Sequence, residues 1–176
     1  DWALARSWYQ FNDSGLIAED VVKNVTGNGS IISSDHVVAG DPLVVEVKPD
    51  AGNIATEFRV NGKDCLDELV YSEGKTTYTL GQVAGDVVID AKFEALAETR
   101  TVTGTLTADP LPPNSNYAVF TLYVARGGYY QALKVNSDGT FTAELPADDL
   151  YIFAAADGYL TAKELLSAAD TQVTLS

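Results

Sequence analysis

From Gly27 to the end of the chain, apolar and polar residues alternate with a period of two, and turn-forming residues break the alternation about every eight to twelve positions. That rhythm confines the chain to strands. Successive strand side chains point to opposite faces, so a period of two puts one face in a core and the other in water. Leu43, Val45 and Val47 alternate with Val44, Glu46 and Lys48 between turn residues at 40–42 and 49–52, which predicts a half-buried strand. Val87, Ile89, Ala91 and Phe93 predict a second, facing inward while Val88, Asp90 and Lys92 face out. Between them, residues 57–60 run into the tight turn Asn61-Gly62, and residues 76–80 read as a further strand.

Residues 95–99 lose the alternation and separate two β-patterned blocks, so they are expected to be a linker. After it, Val102, Gly104 and Leu106 alternate with threonines up to a proline-rich loop at 109–114, where missing N–H donors forbid continued pairing. Residues 117–125 and 129–135 then flank Gly127-Gly128, the pair that a two-residue hairpin with positive φ requires. A turn at 137–139 leads into the strand 140–143, and a loop at 145–147 follows. Residues 150–156 read as an apolar strand, and 172–175 closes the block. Six or seven strands in so short a segment suit a two-sheet sandwich.

The first 26 residues follow a different period. Leu4, Trp8 and Phe11 form one stripe of a helix that Asp1 caps and residues 12–15 stop. Ile17, Val21 and Val25 suggest a second short helix. Trp2 and Trp8 are expected to pack against a neighbouring domain. The expected organisation is a helical lead-in at 1–26, a small β domain at 27–94, a linker at 95–99 and a β-sandwich at 100–176.

Two resemblances sharpen this. Asn136-Ser137-Asp138-Gly139-Thr140-Phe141, then Leu145-Pro146-Ala147, Leu150-Tyr151 and Ala155-Ala156-Asp157-Gly158-Tyr159 resemble, in order and spacing, the carboxypeptidase regulatory-like domain family. The resemblance implies a prealbumin-like seven-stranded β-sandwich, with each aromatic plugging the sandwich beside its turn; Asp148 and Asp149 stand where the family has glycine. Related collagen-adhesin B-type domains carry a Lys–Asn isopeptide bond. The closing strand 171–175 has no asparagine, so no such bond is expected. In the middle block, residues 27–30, 39–45, 48–52, Val60-Asn61-Gly62 and 86–93 resemble the divergent internalin B-repeat of bacterial surface proteins. That family implies a β-grasp-like domain serving as a stalk or adhesive module. The frequent Trp before its Asn-Gly turn is absent here.

The chain offers little catalytic chemistry. His36 is the only histidine and lies in a polar segment read as an exposed turn, with no Gly-x-Ser-x-Gly elbow anywhere. Cys65 is the only cysteine, which excludes an intramolecular disulfide and a cysteine-rich zinc site; it reads as a small buried residue. No phosphate-cradling glycine loop or spaced calcium loop occurs, and the acids at 64, 67 and 68 or 148 and 149 read as solvated loops. No catalytic residue, cofactor or metal is expected, and the chain is expected not to be an enzyme. A net charge of -14, from 11 Lys and Arg against 25 Asp and Glu, repels nucleic-acid phosphates and anionic lipid. No apolar run approaches the roughly 20 residues of a membrane-spanning helix, so neither nucleic-acid binding nor membrane insertion is expected. No signal-peptide pattern opens the chain, and the lack of any methionine suggests a piece of a longer protein.

One feature invites a ligand. Tyr117, Tyr123, Tyr129 and Tyr130 cluster around the Gly127-Gly128 hairpin, and exposed tyrosines make low-entropy platforms for sugars or protein partners. The competing reading is that they brace the two sheets. The expectation from sequence is a non-catalytic, extracellular or cell-surface module that spaces or adheres. Its partners would be other domains of the parent protein, and a glycan or a host or surface protein. The alternative is a carbohydrate-binding accessory module of a secreted glycan-degrading enzyme.

Overall fold

The computed structural model of the chain describes residues 17–176. Those residues form a mainly β structure of sixteen strands in four sheets, with three short 3-10 turns. The chain divides into two compact units, the first ending at Glu94 and the second running from Ala95 to Ser176.

In the first unit the strands are β1 (Ala18–Thr26), β2 (Gly29–Ile32), β3 (His36–Val38), β4 (Leu43–Pro49), β5 (Asn53–Val60), β6 (Lys63–Asp64), β7 (Val70–Ser72), β8 (Lys75–Leu80) and β9 (Val87–Ala95). They form one sheet in the order β3-β1-β9-β5-β6 and another in the order β2-β4-β8-β7. The inward sets expected from alternation are the buried ones: Leu43, Val45 and Val47 on β4, and Val87, Ile89, Ala91 and Phe93 on β9. With Val21, Ile31, Phe58 and Val60 they make one core cluster fed by both sheets. The Asn61-Gly62 turn has φ of 52° and 82° at its two residues, the doubly positive geometry of a tight hairpin. Asn61 docks it on β9: its N–H donates to the Val88 carbonyl, and its Oδ1 accepts from the Val88 N–H, both at 2.8 Å.

Three expectations for this half change. The second helix, through Ile17, Val21 and Val25, is instead strand β1, which pairs parallel with β9 from Val21↔Val87 to Thr26↔Lys92. Its β-branched Val21, Val22, Val25 and Thr26 lose side-chain freedom in a helix and suit a pleated surface. Residues 18–26 therefore belong to this unit's sheet and not to a helical lead-in. The stripe of Leu4, Trp8 and Phe11, and Trp2 with it, lies outside the described residues. The β-grasp expected at 27–94 needs a helix laid across its sheet. Among this unit's described residues the only helical element is the 3-10 turn Leu66–Glu68, and a second sheet closes the core.

The second unit holds β10 (Thr99–Leu106), β11 (Thr121–Arg126), β12 (Tyr129–Leu133), β13 (Thr140–Pro146), β14 (Leu150–Ala155), β15 (Ala162–Leu166) and β16 (Gln172–Leu175). These seven strands form a three-stranded sheet, β13-β10-β16, and a four-stranded sheet, β12-β11-β14-β15. Buried residues come from both: Val102, Leu106, Phe141, Leu145 and Leu175 from the first, Leu122, Val124, Leu150, Ile152 and Leu166 from the second. The Gly127-Gly128 hairpin forms as expected, with φ of 56° and 83° and Arg126 paired to Tyr129. The Asp138-Gly139 turn forms too: Asp138 Oδ1 accepts from the Thr140 N–H at 3.0 Å, and Gly139 sits at φ 90°.

Here the boundaries move. β9 ends at Ala95 and β10 begins at Thr99, so only residues 96–98 of the expected linker lie outside strands. Tyr117 opens no strand but a 3-10 turn, Tyr117–Val119, capped by the Asn116 side chain. Leu145 and Pro146, expected in a loop, complete β13, where both are buried.

Candidate functional site

The four-stranded sheet of the second unit carries a set of aromatic residues on its outer face. β11 and β14 are its central strands, paired antiparallel with Tyr123 opposite Phe153. On both, alternation sends one set into the core (Leu122 and Val124; Leu150, Ile152 and Ala154) and leaves Tyr123, Tyr151 and Phe153 half-buried on the other face. Tyr123 and Phe153 stack at 4.9 Å between centroids and 15° between planes. Tyr130, on the edge strand β12 and 36% exposed, reaches Tyr123 at 5.6 Å. Tyr151 lies 6.4 Å from Phe153. On the opposite edge strand, Lys163 is paired with Phe153 in register. Its Nζ sits 4.2 Å from the centroid of Tyr151 and 5.7 Å from that of Phe153. The result is a row of rings across three strands, ended on the fourth by a cation over π faces.

The structure splits the four tyrosines singled out in the sequence. Tyr123 and Tyr130 join this row. Tyr129 is on the opposite face of β12, where its hydroxyl donates to Gln131 Oε1 at 2.5 Å, and Gln131 Nε2 in turn donates to the Glu144 carbonyl at 3.2 Å. That chain ties β12 to β13 of the other sheet. Burial, with repulsion from Asp148 second, raises the Tyr129 phenol above its ordinary value. Tyr117 is buried: its ring stacks on Phe120 at 6.0 Å, and its hydroxyl oxygen accepts from the Ala108 N–H at 3.3 Å. Tyr117 and Tyr129 are therefore braces, and they are not part of the outer row. Tyr151 does not plug the core beside its turn, as the family cadence implied, because its odd position puts it with Phe153 on the outer face.

Sequence reading missed Tyr151, Phe153 and Lys163. In residues 150–155 both alternating sets are apolar, so hydropathy does not sort the two faces; only the larger rings at 151 and 153 hint at them.

The acid clusters turn inward to backbone. Asp64 accepts from the Leu66 N–H at 3.1 Å, and Glu68 pairs with Lys63 at 3.3 Å. Asp148, Asp149 and Asp170 accept from the N–H groups of Ala97, Ala168 and Ser167, at 2.9, 2.8 and 2.8 Å. They ring Arg100, whose guanidinium donates to the carbonyls of Ser167 and Asp148. Burial lowers this guanidinium's proton affinity, against the pull of the three aspartates. Among the described residues no group of three His, Cys, Asp or Glu side chains is placed to hold a metal ion. His36 sits on the short edge strand β3 and not in a turn, with Nδ1 3.1 Å from Asp20 Oδ1 and both side chains largely exposed. Cys65 is buried and bonded to the Tyr78 hydroxyl, whose pKa is pushed up to about 12 chiefly by that hydrogen bond and then by burial.

Concavities lined by described residues of this unit include the following two. A cleft of about 340 Å³ is lined by Leu106, Phe120, Ala154, Tyr159, Leu160 and Ala162, with the Tyr159 hydroxyl tied to the Pro110 carbonyl at 2.8 Å. A shallower one, about 420 Å³, lies over the threonines of β10 and β13. The first cleft's lining also includes Thr107, Asp109 and Ser176, with no histidine or cysteine among its residues. Among the described residues no helix is long and apolar enough to cross a membrane. Compared with known families and curated proteins, the chain matches no family model and no curated protein.

Proposed function

We propose that this chain is a non-catalytic, extracellular module of a bacterial surface or secreted protein, a spacer that also presents an adhesive face. The observation carrying the reading is the row Tyr130, Tyr123, Phe153 and Tyr151 held at the surface of a sheet whose other side is core. Large aromatic side chains placed outward in a row mark an interaction surface more than a packing need. The seven strands of the second unit, in sheets of three and four, support reading it as a prealbumin-like sandwich of the carboxypeptidase regulatory-like kind. The first unit is read as a surface repeat of the internalin B type, in which a second sheet takes the place of the β-grasp helix.

Incubating the purified chain with polysaccharide, peptide and ester substrates tests the non-catalytic part. No turnover is expected, and hydrolysis that survives repurification would overturn it.

A second reading, a carbohydrate-binding accessory module, draws on Tyr130, which ends the ring row on an edge strand. Calorimetry against soluble polysaccharides distinguishes it: heat that disappears in Tyr130→Ala favours a glycan, and absence of heat leaves the adhesive reading.

A further inference from the structure

Asparagine followed by glycine occurs twice in the chain, at Asn28-Gly29 and Asn61-Gly62. In such a pair the glycine nitrogen can attack the asparagine side-chain carbon with no Cβ beside it to obstruct the approach. The structure treats the two sites differently. Asn61 is fastened to β9, its Oδ1 accepting from the Val88 N–H and its own N–H donating to the Val88 carbonyl, both at 2.8 Å. Asn28 lies exposed in the bend between β1 and β2, and its carboxamide has no hydrogen-bond partner among the described residues.

The other described asparagines are each held. The carboxamides of Asn24, Asn53, Asn116 and Asn136 are hydrogen-bonded to Asp90, the Ala51 carbonyl, the Ala118 N–H and Thr140. Asn114 has an unbonded carboxamide, but the amide that would attack it, the Ser115 N–H, donates to the Pro112 carbonyl at 2.8 Å. At Asn28 the attacking amide is open as well. Gly29 faces Pro49 of β4, and the Asn28 carbonyl accepts from the Asp50 N–H at 3.1 Å. That bond makes Gly29 and Pro49 a non-hydrogen-bonded pair, in which the Gly29 N–H points away from β4. β2 ends its sheet, so no further strand takes up that N–H.

Packing keeps the glycine in place. A Cβ at Gly29 would lie 2.5 Å from the Phe93 ring, and one at Gly27 would lie 2.0 Å from the Phe93 carbonyl oxygen, so the turn is seated on Phe93 at both ends. The steric demand for glycine at 29 leaves Asn28 beside an unhindered nucleophile.

We infer that Asn28 is a site of spontaneous deamidation, where an unbonded carboxamide and an open glycine amide meet. The Gly29 nitrogen bonds to Asn28 Cγ, the Cγ–Nδ2 bond breaks, and the proton of that nitrogen leaves with Nδ2 as ammonia. Water then opens the succinimide at its side-chain carbonyl to give aspartate, or at its main-chain carbonyl to give isoaspartate. Either product adds one negative charge to the net -14. Isoaspartate also puts the side-chain methylene into the main chain, a longer path that a turn seated on Phe93 at both ends cannot take without shifting. The inference stands apart from the adhesive reading.

Peptide mapping by mass spectrometry tests it, on the full chain incubated folded in mildly alkaline buffer and, in parallel, unfolded in guanidinium. In the folded chain the mass gain of an NH2-to-OH exchange is expected at Asn28 about tenfold or more faster than at Asn61, whose bond from Val88 must break before its Cγ is attacked. In guanidinium the two rates should converge. Asn28→Gln, whose longer side chain does not close the succinimide ring, should lack the early product. After chromatographic separation the isoaspartyl form is expected to melt below Asn28→Asp, which keeps the backbone length. Equal folded-state rates at Asn28 and Asn61, an earlier product at any other asparagine of residues 17–176, or no product at Asn28 would overturn the site. Equal melting of the isoaspartyl form and Asn28→Asp would overturn the effect assigned to the Phe93 contact.

Discussion

Gly104 of β10 faces Phe141 of β13 in register, and the Phe141 ring occupies the space that a side chain at position 104 would need. Gly104 has no left-handed φ, so the requirement is steric. Ala at 104 would press its Cβ into a 2% exposed ring that has nowhere to go. Gly104→Ala is expected to lower stability by about 1–3 kcal/mol, read as a drop in the urea midpoint at unchanged slope. Gly81→Ala is the control: open space surrounds Gly81 and its φ is ordinary, so the change should stay within about 0.5 kcal/mol.

Arg100 ties two loops of the second unit together, and its Nε is buried without a partner. Removing the guanidinium leaves the carbonyls of Ser167 and Asp148 without donors and the three surrounding aspartates without a nearby cation. Arg100→Ala should cost about 1.5–3 kcal/mol, the range for hydrogen bonds to charged groups. Arg100→Lys should recover only part, because one ammonium on a different stem does not reproduce a planar fork reaching two carbonyls. Hydrogen exchange checks the location: amides at 97, 167 and 168 should lose protection before those of β11 and β14.

Much of this architecture was legible in the sequence where one local signal sufficed. Leu43 to Val47 and Val87 to Phe93 alternate cleanly because each has one wet face. Gly127-Gly128 and Asp138-Gly139 carry the positive φ their turns need. The misses share a cause, since each was decided by partners distant in sequence. Ile17, Val21 and Val25 fit a helical stripe until β9 offers a parallel neighbour. Ala162 to Leu166 has the composition of a helix and becomes β15 only because β14 has a free edge for it. Of the tyrosine cluster, Tyr123 and Tyr130 lie in the outer row and Tyr117 and Tyr129 do not. Phe153 and Tyr151 enter by the register of β11 against β14, which no local pattern specifies.

Tyr78 and Cys65 predict a change in alkaline stability. In the folded chain the phenol's pKa is about 12 against an ordinary 10.0, first because it is hydrogen-bonded to the thiol and then because it is partly buried. Its folded value is raised, so the neutral form is the one folding favours. The stabilisation is fully present below pH 10 and lost as pH climbs toward 12. Urea midpoints measured across that window should fall more steeply for the natural chain than for Tyr78→Phe, which has no proton to lose. Parallel curves for the two would show that the phenol does not titrate late.

Tyr123 and Phe153 should couple in stability whether or not the face is occupied. Their overlapping rings link the two central strands of the sheet, and cross-strand aromatic pairs contribute beyond the area they bury. A double-mutant cycle with Tyr123→Ala and Phe153→Ala is expected to return a coupling of about 0.5–1.5 kcal/mol. Tyr123→Phe keeps the ring and should stay within about 0.5 kcal/mol of the natural chain. A cycle on Tyr117 and Tyr123 serves as the reference, since Tyr117 stacks on Phe120 and makes its hydrogen bond to Ala108, away from the row. That cycle should be additive within about 0.3–0.5 kcal/mol. Coupling of Tyr123 to Tyr117 as strong as its coupling to Phe153 would mean that the tyrosines brace the unit as one body, and that the outer row is not a separate surface feature.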